Sequence, residues 1–125
     1  MIRPIILFLI ALPLAFPGSA AYAQPKPKEL SLEAMQGLDK AWDEYFGCIR
    51  TAVERYALQM AEPAASIAEG AIGLCQTQRA AYFRAALVFG MGADGADRNL
   101  QTMDERLRPW AMGKVLQIRA ERGKQ

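Results

Sequence analysis

Apolar residues along this chain recur with the period of helices. Leu38, Trp42, Tyr45, Ile49, Val53, Tyr56 and Met60 follow one another at steps of four, three, four, four, three and four, which keeps them on one side of a helix. Ser31 is an N-cap type ahead of this stripe. Ala34 stands where a capping box needs Glu or Gln, so the start is favoured mainly by the charge of Glu33. A second, alanine-rich pattern runs from Pro63 to about Phe89, with Ile67, Ala71, Leu74, Ala81 and Ala85 on one side and Ile72, Cys75, Tyr82 and Phe89 beside it. It reads as one continuous helix that stops at GMGADG, where Gly90, Gly92 and Gly95 permit positive φ angles. A third helix starts near Asp94 or Asp97 and carries Leu100, Met103, Leu107, Trp110, Val115, Leu116 and Ile118. Pro109 lies inside it, removing an N–H and crowding the carbonyl four residues back. Arg108 is a poor cap for a fresh helix, so a kink is expected there rather than a break. No alternating strand pattern follows the leader, and the expected fold class is all-α.

The stretch QMAEPAASIAEG, from Gln59 to Gly70, sets Pro63 between strong helix formers. Proline suits a first helical turn, where its missing N–H would have no partner, and Ser66 with Glu69 has the spacing of a capping box. Either start puts a turn between about 61 and 66. The two cysteines test that turn. A disulfide needs Cα atoms about 4.4 to 6.8 Å apart, whereas one straight helix through Cys48 and Cys75 would hold them roughly 40 Å apart. Folded back as an antiparallel hairpin, residues equidistant from the turn face each other, and the midpoint between Cys48 and Cys75 falls at Ala61-Glu62, beside Pro63. Turn chemistry and cysteine spacing thus select a hairpin turning at Glu62 and Pro63 and crosslinked through Cys48 and Cys75. Ala52, Ala68, Ala71 and Gly73 would let its arms approach closely.

Such a crosslink requires an oxidising compartment, and the N-terminus supplies the route to one. Arg3, an apolar run from Ile5 to Phe16 and the small-residue site Ala21-Tyr22-Ala23 follow the order of a cleavable secretory signal. The apolar run is too short for a spanning helix, which needs roughly 20 residues, and contains Pro13. The expected organisation is a signal peptide over residues 1–23, a flexible leader over 24–30 (QPKPKEL) and a single helical domain over 31–125. The expected location is periplasmic or secreted, where disulfides persist. A domain this small buries roughly 60 to 70% of its unfolded surface, so a covalent staple matters.

Charge changes the picture little. The 15 Lys and Arg, one of them Arg3 in the signal, nearly balance 13 Asp and Glu, which argues against nucleic-acid binding. Gln24 to Glu62 carries five basic and seven acidic residues, and Asp97 to Gln125 seven basic and four acidic. An acidic first helix complementing a basic last helix is the reading adopted, with a basic surface for an anionic membrane as the alternative.

The chain has no histidine. Ser-His-Asp and Cys-His nucleophiles, the usual zinc sites and the Glu-x-x-His di-metal pattern are therefore excluded. Asp39 with Asp43 and Asp104 with Glu105 are the remaining acid-base candidates, and all four read as solvent-facing charge among Lys40, Arg50 and Arg106. Asp94, Asp97 and Asn99 lack the spacing of a calcium loop, and the methionines are scattered rather than clustered as soft-metal ligands. No cofactor or metal is expected, and no enzymatic activity.

Tyr45-Phe46-Gly47-Cys48, the segment AEPAASIAEGAIGLC ending at Cys75 and the stretch from Val115 to Arg119 resemble small exported two-cysteine helical proteins of proteobacteria. The resemblance implies a disulfide and an exported location and carries no activity. The expectation is a non-catalytic structural or protein-interaction role, the partner being an envelope protein or a second copy. Trp42, Tyr45, Tyr56, Tyr82 and Trp110 are the candidate interface. Carriage of a small apolar ligand and attachment of the basic last helix to a membrane surface are the alternatives.

Overall fold

The computed structural model describes residues 31–125. The expected signal peptide and leader, residues 1–30, lie outside the described residues. Those described form four helices and no strand: α1 Leu32–Gln59, α2 Ala64–Leu74, α3 Gln76–Phe89 and α4 Ala93–Arg122. Helix α1 packs against the other three, and α4 packs in turn on α2 and α3. None of these helices is long and apolar enough to cross a membrane.

Helix α1 begins where Ser31 Oγ accepts the Ala34 N–H at 3.0 Å, satisfying one of the donors a helix start leaves free. Its most buried positions are Ala41, Tyr45, Ile49, Val53 and Ala57. The expected stripe is therefore right at its centre, while Leu38, Trp42 and Tyr56 are half-buried at its flanks and Met60 is exposed. Alanine at both ends of the buried row lets neighbouring helices come close, a contribution that a search for large apolar residues passes over.

Past Gln59 the backbone becomes extended at Met60, and α2 begins immediately after Pro63. Proline occupies the N-cap itself rather than the first turn. Ser66 lies within α2 and makes no capping bond, so its pairing with Glu69 is not used as a start signal. The Cys48–Cys75 disulfide is formed, with Cα atoms 5.9 Å apart.

The expected single helix from Pro63 to Phe89 is two. Cys75 separates α2 from α3 with φ −99° and ψ 25°. Its N–H donates to the Ile72 carbonyl only three residues back, at 3.2 Å, and the Gln76 side-chain amide donates to the same oxygen at 3.1 Å. The helical ladder is thereby tightened and rerouted at the crosslinked residue. Leu74, expected inside, is 63% exposed, while Ala68, Ile72 and Ala86 are buried.

Helix α3 ends as its glycines require. Gly90 has φ 105°, its N–H reaches Leu87 and the Met91 N–H reaches back to Ala86, the closure of a Schellman motif. Helix α4 starts at Gly92, without a side-chain cap, rather than at Asp94 or Asp97; Asp94 falls in its first turn, where a negative charge favours the helix dipole. It then continues through Pro109 to Arg122 without a break. Pro109 and Glu105, the residue whose carbonyl the proline deprives of a helical partner, both lie on the exposed side of α4. Leu100, Leu107 and Val115 are buried as expected, whereas Leu116 is 55% exposed.

Candidate functional site

Three arrangements bring chemically distinctive side chains together. The first is a buried polar cluster. Asp104, on α4, is only 8% exposed and not the solvent-facing charge expected from its neighbours. The Tyr45 hydroxyl donates to Asp104 Oδ1 at 2.7 Å, and Arg79 Nε donates to Oδ2 at 2.9 Å. Each of three helices thus contributes one group. Burial, followed by the hydrogen bond to Asp104 and its charge, holds the Tyr45 hydroxyl well above the ordinary tyrosine pKa. Beside it the Tyr82 hydroxyl donates to Asn99 Oδ1 at 2.9 Å; its pKa is also raised, by burial and then by the charge of Asp39. These phenols stay protonated at neutral pH and act as donors, and every carboxylate oxygen of Asp104 has a partner. That chemistry ties helices together. The other carboxylates considered as acid-base candidates, Asp39, Asp43 and Glu105, are exposed.

The second arrangement is a clamp on the α1–α2 turn. Arg119 Nε donates to the Ala57 carbonyl at 2.9 Å, and its Nη2 donates to Met60 at 2.6 Å and to Glu62 at 2.8 Å. The guanidinium thus meets the Ala57 and Met60 carbonyls at the C-terminal end of α1, the negative end of its dipole, and the Glu62 carbonyl of the connection to α2. Arg108 of α4 pairs with Glu69 of α2 at 2.7 Å. The basic character of α4 is thus partly turned inward, and it meets backbone carbonyls and α2 rather than an acidic face on α1. Turn residues Glu62 and Pro63 are themselves exposed.

The third arrangement concerns the aromatic residues expected at an interface. Tyr45 and Tyr82 are buried, at 0% and 4% exposure, and engaged within the chain, so neither offers its ring to a partner. Trp42 and Trp110 are half-buried. Trp42 stacks on Phe46 at 5.9 Å, and Phe46 lies 4.8 Å from Trp110. Trp42 also meets Tyr45 and Tyr82 edge-on. Four of the five candidates therefore form one internal cluster joining α1, α3 and α4.

Tyr56 stands apart. It lines an apolar groove of about 380 Å³ on the α1–α2 seam, together with Met60, Ile67, Gly70, Ala71 and Leu74. Glu62 and Ser66 supply its polar edge. Tyr56 and Leu74 also line a neighbouring depression with Cys48, Thr51, Arg55 and Gln78, so the two recesses meet along the seam. The Arg55 guanidinium lies 5.9 Å from the centre of the Tyr56 ring. A methyl group added at Gly70 or Gly73 would meet nothing within 4 Å, and neither glycine has a positive φ. The sequence signal for this surface is Leu74, which helical spacing groups with Ile67 and Ala71, whereas the buried row runs through Ala68, Ala71, Ile72 and Cys75 and leaves Leu74 outside.

No family model matches this chain, and neither a curated protein nor a solved structure matches it.

Proposed function

We propose that this chain is an exported, non-catalytic helical protein that binds another protein through the groove on the α1–α2 seam. The observation that carries the reading is the groove itself: an open apolar recess bordered by Leu74 and Met60, which are 63% and 43% exposed. Exposed apolar surface grouped around a recess is what binding surfaces offer and what solvated helix faces avoid. The supporting framework is read as an antiparallel hairpin of α1 against α2 and α3, pinned through Cys48 and Cys75, with α4 bending at Pro109 as it lies across it. A signal peptide over residues 1–23, cleaved after Ala23, would deliver the chain to the periplasm or the exterior. The disulfide is compatible with that location.

The test is site-specific photocrosslinking in the producing cell. Replacing Leu74 or Gly70 with a photoreactive residue should give discrete higher-mass adducts, and the same residue at exposed Thr102, which lies outside the groove, should not. Equal labelling at all three positions would remove the reading. A specific turnover abolished by Asp104→Asn in a folded protein would replace it with an enzymatic one.

Carriage of a small apolar ligand is the second reading, favoured by a groove volume within the usual ligand range of about 300 to 1,000 Å³. Mass spectrometry of an organic extract of the purified protein should then show one stoichiometric compound, lost in Gly70→Leu.

A further inference from the structure

The geometry points to a redox-operated conformational device: the Cys48–Cys75 disulfide imposes the break between α2 and α3, and its reduction lets residues 64–89 close into one helix. Between Leu74 and Phe89 the chain contains no proline and no glycine, so the break coincides with no strong helix breaker at its own position. Gly73 lies two residues before it, but its φ is not positive, and a helix tolerates it. What does coincide with the break is the crosslink. Cys75, the residue at the break, is bonded to α1.

The core is already arranged for a continuous helix. Ala68, Ala71, Ile72 and Cys75 are buried on one side of the break, and Tyr82 and Ala86 on the other. From Cys75 the inward positions continue through Arg79, which reaches Asp104, to Tyr82 and Ala86 at steps of four, three and four. That is the phase an unbroken helix would keep. Closing the break therefore needs no exchange of inner and outer faces. It needs release of Cys75 and of the Ile72 carbonyl, which Cys75 N–H and the Gln76 side chain now hold.

The chemistry is thiol–disulfide exchange with an external dithiol. Cys48 is half-buried and lines the open depression, whereas Cys75 is fully buried. A thiolate of the dithiol attacks Cys48 Sγ, the Cys48–Cys75 bond breaks, and Cys75 leaves as a thiolate that takes up a proton. The second thiol of the reductant then attacks the mixed disulfide and frees Cys48. Two electrons pass to the protein, and the dithiol becomes a disulfide. Leu74, Gln78 and Cys48 border the same depression, so joining α2 to α3 reshapes the seam. The device would thereby tie the groove to the oxidation state of the pair.

Amide hydrogen exchange read residue by residue tests this on the whole exported chain. In the oxidised protein, Gln76→Ala removes the side-chain bond to Ile72 and should leave the break in place. In Cys48→Ala/Cys75→Val and in dithiol-reduced wild type, exchange over residues 74–78 should slow by about tenfold as the ladder closes, with a rise in helical circular dichroism. Closure of the break by Gln76→Ala with the disulfide intact would overturn the proposal, because the cause would then be local. Unchanged exchange in both uncrosslinked proteins would overturn it as well. So would loss of the folded state in both, since no folded reduced form would exist to switch to. Photocrosslinking through Leu74 in the oxidised protein is independent of these results, so the two proposals fail separately.

Discussion

Asp104 owes its role to its neighbours rather than to its type. In the sequence it precedes Glu105 and Arg106 and resembles ordinary surface charge; in the fold it accepts from both Tyr45 and Arg79. Removing one donor leaves a buried carboxylate short of a partner, which costs about 1 to 3 kcal/mol. Tyr45→Phe should lower stability by that amount in urea titrations. The alkaline side tests the same contact. The folded-state pKa values of Tyr45 and Tyr82 are raised, so their contribution is complete below the unfolded tyrosine value of about 10 and is lost as pH rises beyond it. Unfolding midpoints should fall above about pH 10, less steeply in Tyr45→Phe. Arg119 was hidden for a different reason: its three acceptors are backbone carbonyls, which no side-chain pattern displays. Arg119→Ala should destabilise the protein by about 1 to 3 kcal/mol, and Arg119→Lys should recover only part of that, having lost the planar fork.

At the level of elements, the start of α1, the interruption beside Pro63 and the stop at Gly90 were legible because each rests on local chemistry: a serine oxygen, a proline that cannot continue the preceding helix, a permitted positive φ. Boundaries without a local cause were not legible. The division at Cys75 falls where no proline or positive-φ glycine marks a stop, and the start of α4 at Gly92 precedes the better capping residues. Glycine and proline inside exposed helices leave room for gain. Gly70 has open space beside it and no conformational need for glycine, so Gly70→Ala should stabilise the protein by about 0.5 to 1 kcal/mol. Pro109 is exposed within α4, and Pro109→Ala should raise the thermal midpoint by restoring one helical bond. A decrease for both in differential scanning calorimetry would mean that these residues serve contacts within the fold.

For the whole molecule, the crosslink is the largest single constraint. It spans 27 residues of sequence, and closing a loop of that order is worth about 3 to 4 kcal/mol in the chain-entropy model. Cys48→Ala/Cys75→Val should lose a comparable amount in urea titrations at equal pH. Two alanines inserted into α2 alone should carry Cys75 about 200° around its helix and slow disulfide formation, as seen by intact mass after air oxidation. The sequence by itself determined the all-α class, the pairing of Cys48 with Cys75 and the helix boundary beside Pro63, since periodicity, backbone chemistry and the reach of a disulfide are properties of the chain read in order. Only the tertiary structure decided that Asp104 lies inside, that Tyr45 and Tyr82 bind within the core and that Leu74 faces out beside Tyr56. Burial depends on what a neighbouring helix covers, and that is settled by packing between residues far apart in the chain.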